Sequence, residues 1–197
     1  PEPDDIDIAP LYHDMPIEKY SDVGRVGNYG FYAHERKAAP ILTNRGCRAH
    51  CSFCSVANFN GPGVRSRSIE SILDEIKWLY GKGIRHLSLL DDDPLNNKKR
   101  AVDLFKGISE LKLDITWDGT NGLIAAAIND ELMQAMVESG CIGFNLGIES
   151  GSPEILRSVH KPGTVETFMR AKGIIDKYPE VFVMGFLIIG FPNETHK

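Results

Sequence analysis

A chain of 197 residues, 42% hydrophobic and 25% charged, reads as an ordinary soluble globular protein of about one domain, able to bury on the order of 70% of its unfolded surface. A net charge of −5 provides no bulk attraction for a phosphate backbone, so nucleic acid is not the default partner; the longest apolar run, 181–191, holds two glycines and is too short for the roughly 20 residues of a membrane span. No signal-peptide pattern opens the chain, and four cysteines, three of them within eight positions, do not resemble a small secreted disulfide framework; a reducing, cytoplasmic setting fits better.

Residues 1–38, rich in Pro, Asp, Gly and Tyr without a sustained period, read as a linker or extended N-terminal arm. Because the chain opens on Pro1 rather than Met, it reads as a fragment, with a core over 39–197. From Ala39 onward, apolar strand-like runs alternate with amphipathic helical ones, the pattern of strand-helix units around a parallel sheet. The first strand, 40–43, feeds directly into a cysteine loop. A helix then runs from a Ser68 cap through Ile69, Ile72, Leu73, Ile76 and Leu79 to a stop at Gly81 and Gly83. The second strand, 84–90, ends in Asp91, Asp92 and Asp93, and a helix through Val102, Phe105 and Ile108 leads to a third strand near 115–117. A helix over 130–139 precedes the fourth strand, 141–148, which ends in Glu149, Ser150 and Gly151. Ser152, Pro153 and Glu154 start a short helix, Pro162 and Gly163 break it, Thr164 starts another, and the fifth strand spans 181–189.

The cysteine loop is Cys47-x3-Cys51-x2-Cys54. Thiolates are soft ligands suited to iron-sulfur clusters and zinc, and three in one short loop can converge on a metal. A closed structural zinc site or a purely electron-carrying 4Fe-4S cluster takes four protein ligands, whereas three leave a position open for substrate. Cys141, the remaining thiol, begins the fourth strand, roughly 20 Å from the loop at ~3.3 Å per residue, and reads as a small buried core residue. His50, inside the loop, reads as solvent-facing. A non-catalytic zinc or iron-sulfur binding module is the competing class, and the position of Cys141 relative to the other thiols discriminates the two.

The spacing C-x3-C-x2-C, with the aromatic Phe53 before the last cysteine and a strand before the first, resembles the cluster loop of the radical S-adenosylmethionine (SAM) superfamily. Two later segments match in the expected order: Gly147-Ile148-Glu149-Ser150-Gly151-Ser152 and Gly190-Phe191-Pro192-Asn193-Glu194-Thr195. Both are similar to pieces lining the SAM site in the branch with cobalamin-dependent radical SAM enzymes, anaerobic porphyrin cyclases and methylthiotransferases. The resemblance covers about residues 38–197 and implies an α/β fold, a partial (β/α)6 TIM-like barrel with about five strand-helix units and its site at the strand C-terminal ends.

It also implies a 4Fe-4S cluster held by Cys47, Cys51 and Cys54, whose open iron binds SAM and whose electron cleaves it to a 5'-deoxyadenosyl radical. A reductant such as flavodoxin or ferredoxin is implied with it. Carried over by position, Phe53 lies beside the adenine. Asp91 and Asp92 stand where the family receives the methionine ammonium with a Gly-Gly-Glu-like segment, although the glycines are missing here and an acidic strand end can equally be a solvated turn. Glu149 and Ser150 are candidates for the ribose hydroxyls or the methionine moiety. Arg157 and Lys161 are weaker candidates for the SAM carboxylate, and Glu194 for capping its turn. Gly185 and Gly190 would let backbone approach the adenine, against simple packing. Arg65, Arg67, Lys98 and Lys99 form small basic spots that read as a solvated face. Residues 1–46 hold no cysteine for the second cluster of a methylthiotransferase, and the cobalamin motif D-x-H-x-x-G is absent, so any cobalamin domain lies upstream. The substrate is not legible, and a barrel one strand short of six leaves a sheet edge.

Overall fold

The strand-helix alternation folds into one parallel sheet. In the computed structural model the described residues are 35–192, 194 and 195, with 6, 7, 12 and 15–23 before them, the last three as backbone only. In chain order the elements are α1 (Ile17–Val23), β1 (Ala38–Ile41), β2 (Asn44–Arg45), α2 (Val56–Asn60), β3 (Arg65–Ser66), α3 (Ile69–Gly81), β4 (His86–Leu89) and α4 (Lys98–Glu110). There follow β5 (Thr116–Leu123), a 3-10 turn (Ala125–Ala127), α5 (Asp130–Glu138), β6 (Cys141–Glu149), α6 (Pro153–Ser158), α7 (Val165–Ile175) and β7 (Phe182–Leu187). The sheet order β1-β4-β5-β6-β7 follows the chain, every pairing is parallel, and the result is a partial TIM-like barrel.

Side-chain alternation separates the two faces of the sheet. Trp117 of β5 stacks on Phe105 of α4, with ring centroids 4.8 Å apart, and Leu146 and Ile148 of β6 meet Phe168 of α7, so these positions face the helices. The inner face is polar: His86 Nε2 lies 3.0 Å from Asp118 Oδ2, both buried, and Asn145 donates to the Thr120 carbonyl. Ile72, Ile76, Leu79, Phe144, Met133 and Met136, all fully buried, anchor the core. Ser68, Ser152 and Thr164 cap α3, α6 and α7 as their sequence positions predict; Asn97 and Asn129 do the same for α4 and α5. Each cap contributes about 1 kcal/mol.

Three features depart from the sequence expectation. The third strand extends to Leu123 through two register shifts, because Gly119 and Gly122 bend it without ending its pairing to β6. The arm is not simply extended: it contains α1, Ile17 is buried in the core, and Tyr12 stacks on Trp78 while donating to Glu75 Oε1 at 3.0 Å. Residues 24–34 of that arm and Asn193 lie outside the described residues. Finally, β2 and β3 form a small antiparallel ribbon that closes the base of the cysteine loop. Gly46, at φ +91°, takes a conformation that L side chains rarely adopt, and a Cβ there would run into the Gly63 carbonyl.

The acidic end of β4 fixes this loop. Asp91 Oδ1 accepts from the backbone N–H of Thr43 (2.6 Å) and Asn44 (2.9 Å), and its Oδ2 accepts from the Thr43 hydroxyl (2.6 Å). Asp92 Oδ2 accepts from the Gly46 N–H (3.1 Å) and Asn60 Nδ2 (2.7 Å). Asp93 pairs with Arg48 at 3.1 Å. Burial pushes the Asp91 carboxyl up to about 6 against the pull of its three donors. That lies above the unfolded value of about 3.9, so between roughly pH 4 and 6 the folded state binds more protons than the unfolded one. The contribution of Asp91 to stability is therefore full below pH 4 and declines as pH rises through 6. Asp91→Ala, which orphans two buried N–H groups and a hydroxyl, is expected to lower unfolding free energy by about 3 kcal/mol at pH 7. Asp91→Asn should retain most stability at pH 7 and remove the Asp91 share of the slope between roughly pH 4 and 6. Denaturant titrations across pH check both, and an Ala variant as stable as the parent refutes the clasp.

Candidate cluster and cofactor site

The loop between β2 and α2 carries Cys47, Cys51 and Cys54, the first two half-buried and the third exposed. It is held on one side by the aspartates of β4 and on the other by α6, where the Ser52 N–H donates to the Val159 carbonyl at 3.0 Å. Within it, the Cys54 N–H donates to the Cys51 carbonyl (3.0 Å) and the Ala49 N–H to Cys47 Sγ (3.4 Å). Burial pushes the Cys47 and Cys51 thiols up, and the neighbouring thiols push further in the same direction; a bound cation reverses that preference by stabilising thiolates. Among the described residues no three Cys, His, Asp or Glu side chains form a preformed metal cage. The three thiols instead ring one cavity of about 360 Å³, a donor set that suits an iron-sulfur cluster with one position open.

The cavity opens at the C-terminal ends of the strands, where parallel α/β sheets place their ligands. Asp92, Asn121, Gly122, Leu123, Glu149 and Lys161 line it together with the cysteines. Glu149 ends β6 in the left-handed region, at φ +67°, and its Oε1 accepts from Lys161 Nζ at 2.9 Å, with the two side chains 9% and 10% exposed. Gly147 makes room for that ammonium, since a Cβ there would lie 2.5 Å from Lys161 Nζ. The site thus presents an anion and a cation side by side in a half-enclosed space. On the cysteine side, Phe53 tilts against Phe191 with ring centroids 5.6 Å apart, an aromatic surface at the mouth.

Of the residues expected to bind cofactor, Phe53, Asp92 and Glu149 line this cavity together with the three cysteines. Asp91 does not: its carboxylate is spent on Thr43 and Asn44, so it builds the loop rather than meeting a ligand. Ser150 is buried and accepts from the Ser152 N–H (3.1 Å), which shapes the turn into α6. Gly185 faces the helix layer, where a Cβ would lie 2.7 Å from Ile148 Cδ1, so its missing side chain accommodates Ile148. Gly190 lies outside the cavity lining and donates its N–H to Glu194, which also accepts from the Phe191 N–H and caps that turn as the sequence suggested. Arg157 is exposed, while Lys161 reaches the cavity. His50 is exposed at its edge. Cys141 is buried at the start of β6, beside Trp117 of β5, with its thiol toward the Gly143 carbonyl and no part in the cavity. Asn121 and Gly122 were missed because the third strand was expected to end before them; the run Asp118-Gly119-Thr120-Asn121-Gly122 was the available signal.

Comparison with known proteins agrees with this architecture. An uncharacterized methyltransferase of Pyrococcus horikoshii is 34% identical over 195 residues, covering 98% of this chain and 39% of the relative. The cytidylyl-2-hydroxyethylphosphonate methyltransferase of Streptomyces wedmorensis is 32% identical over 188 residues, covering 93% of this chain and 34% of its own length. This chain therefore spans about two fifths or less of these curated relatives. The radical SAM methyltransferase TsrM of Kitasatospora setae, solved with cobalamin and a 4Fe-4S cluster, shares the fold with a TM-score of 0.71 at 21% identity, over 84% of this chain and 33% of that one. No helix among the described residues is long and apolar enough to cross a membrane. The sequence profile described as the radical SAM superfamily matches residues 41–197, from the end of β1 through the cysteine loop to the turn after β7, and the chain belongs to that superfamily.

Proposed function

We propose that this chain is the SAM-cleaving core of a cytoplasmic radical enzyme whose net reaction is a methyl transfer, with cobalamin held by a domain upstream. The observation that carries the SAM-cleaving reading is the convergence of three thiols on one cavity that also holds the Glu149–Lys161 pair, with the fourth thiol out of reach. A structural zinc site would need a fourth protein ligand, and His50, which lines the cavity beside the thiols, is exposed at its edge. The methyl-transfer reading draws on the two methyltransferase relatives and on the cobalamin-bearing TsrM fold.

Cys47, Cys51 and Cys54 would hold a 4Fe-4S cluster, which would supply the electron for reductive cleavage of SAM. The chain's own residues bind and orient. Lys161 offers its ammonium to a carboxylate and Glu149 its carboxylate to an ammonium or to ribose hydroxyls, two opposite charges matched to the zwitterionic methionine end of SAM. Each charge gives up part of its bond to the other when ligand enters, so the pair is ready in the free protein without being left unpaired in a partly buried site. Phe53, backed by Phe191, provides a flat apolar surface for adenine. Leu123, Ile124 and Val56 add apolar surface to the wall and limit water there. An external reductant of the flavodoxin or ferredoxin type supplies the electron.

Anaerobic reconstitution of the full-length protein should give a 4Fe-4S spectrum and, on reduction with SAM, 5'-deoxyadenosine. Replacing Cys47, Cys51 or Cys54 with Ala should each abolish both, whereas Cys141→Ala should retain the cluster; one tightly held zinc, unchanged by SAM, overturns the reading. Gly147→Ala forces Lys161 aside through the far end of a flexible side chain, so it is expected to weaken SAM binding about tenfold, or ~1.4 kcal/mol, and to lower stability as Glu149 loses its partner. Calorimetric titration with SAM checks this, and unchanged affinity removes Lys161 from the binding site.

A further inference from the structure

Of the three carboxylates that follow β4, Asp91 is taken up by the start of the cysteine loop and Asp92 lines the cavity, but Asp93 does neither. Its side chain is 0% exposed, and its Oδ2 meets Arg48 Nε at 3.1 Å and accepts from the Arg48 N–H at 3.4 Å. Its Oδ1 is buried with no hydrogen-bond partner among the described residues. The Asp93 carbonyl accepts from Asn44 Nδ2 (2.9 Å) and from the Asn96 N–H (3.2 Å), so the backbone that carries this carboxylate is fixed. A buried carboxylate oxygen without a donor costs stability and calls for an explanation. The start of the loop does not supply one, since Asp91 and Asp92 already hold Thr43, Asn44 and Gly46. SAM binding does not either, since Asp93 is absent from the cavity lining.

Its placement has an electrostatic consequence. Arg48 directly follows Cys47, so the carboxylate stands one peptide unit from that thiol-bearing residue. Burial pushes the Cys47 thiol up, the Ala49 N–H draws it down, and the Asp93 carboxylate pushes it up again. The Asp93–Arg48 pair is neutral in sum but not in effect. The guanidinium side chain is 35% exposed and the carboxylate side chain 0%, so water screens the cation more than the anion. Cys47 therefore sits in the field of a buried negative charge.

We propose that Asp93, held by Arg48 beside Cys47, is a tuning residue that lowers the reduction potential of the cluster carried by the loop. The proposal rests on the radical SAM reading of that loop. One added electron brings negative charge to a place where a buried anion already stands, so reduction is harder and the reduced form is the stronger donor. Reductive cleavage of a sulfonium demands a strong donor. One electron passes from the external reductant to the cluster, and no bond or proton moves at the carboxylate. Charge and hydrogen bonds around a cluster are the protein's means of setting its potential, and Asp93 acts through them without touching SAM.

The test is a redox titration, followed by electron paramagnetic resonance, of the full-length, cluster-loaded protein without SAM. It compares the parent with Asp93→Asn, which keeps the shape and loses the charge, and with Asp93→Glu, which keeps the charge and changes the shape. The midpoint of Asp93→Asn should rise by ~59 mV, a tenfold gain in the one-electron reduction equilibrium, while Asp93→Glu stays close to the parent. SAM affinity, read by calorimetric titration, should be the same in the parent and in Asp93→Asn. An unchanged midpoint in Asp93→Asn overturns the tuning role, and so does an equal rise in both variants, which would make packing and not charge the cause. Failure of Asp93→Asn to take up a cluster that the parent takes up makes Asp93 a builder of the loop and overturns the tuning role as well. A parent that takes up no cluster overturns the radical SAM reading itself.

Discussion

The clasp between the acidic end of β4 and the chain leaving β1 is the interaction on which the site depends. A loop that brings three thiols to one place carries many backbone donors and little apolar surface, so packing alone cannot hold it. Three consecutive carboxylates supply acceptors instead. Asp91 fixes the start of the loop through Thr43 and Asn44, Asp92 ties Gly46 to the end of α2 through Asn60, and Asp93 holds Arg48. The first of these is a buried charge, and it is tolerated because two backbone N–H groups and the Thr43 hydroxyl point at it. The ribbon and the close approach of Gly46 to Gly63 then close the base of the loop.

The charged pair in the cavity follows another logic. Glu149 adopts a left-handed conformation that costs an ordinary L residue roughly 1–2 kcal/mol. It is retained because its carbonyl accepts from the Ile188 N–H at the end of β7 and its carboxylate from Lys161. Strain here turns a carboxylate at the end of a strand into the cavity instead of along the sheet. Lys161 returns to the same place from the far end of α6, and the absence of a side chain at Gly147 gives it room. The cavity therefore has a soft, thiol-rich wall and a charged wall, on two loops tied by the hydrogen bond between Ser52 and Val159.

Much of this was legible in the sequence for definite physical reasons. Apolar periodicity located the strands and most helices, because burial of one face sets the period. The caps at Ser68, Ser152 and Thr164 marked helix starts, and the spacing of Cys47, Cys51 and Cys54 marked a thiol-rich loop. The role of Asp91 was not legible, since a carboxylate at a strand end looks the same whether it awaits a ligand or its own backbone. Gly185 was equally ambiguous, because which face of β7 it occupies depends on register with β6, and register placed it against Ile148. Asn121 was hidden by a strand that continues through bulges with no apolar alternation to announce it.

By itself, then, the sequence determined the α/β class, the order of units, the grouping of three thiols in one loop and the separation of Cys141 from them, all of which follow from local pattern and chain order. The tertiary structure decided which polar groups serve the loop and which face the cavity. It spent Asp91 on Thr43 and Asn44 and brought Lys161 to Glu149. These are pairings between residues distant in the chain, or charges whose meaning depends on what lies opposite. Hydrogen bonds and ion pairs act over a few ångströms in space, and no local periodicity records them.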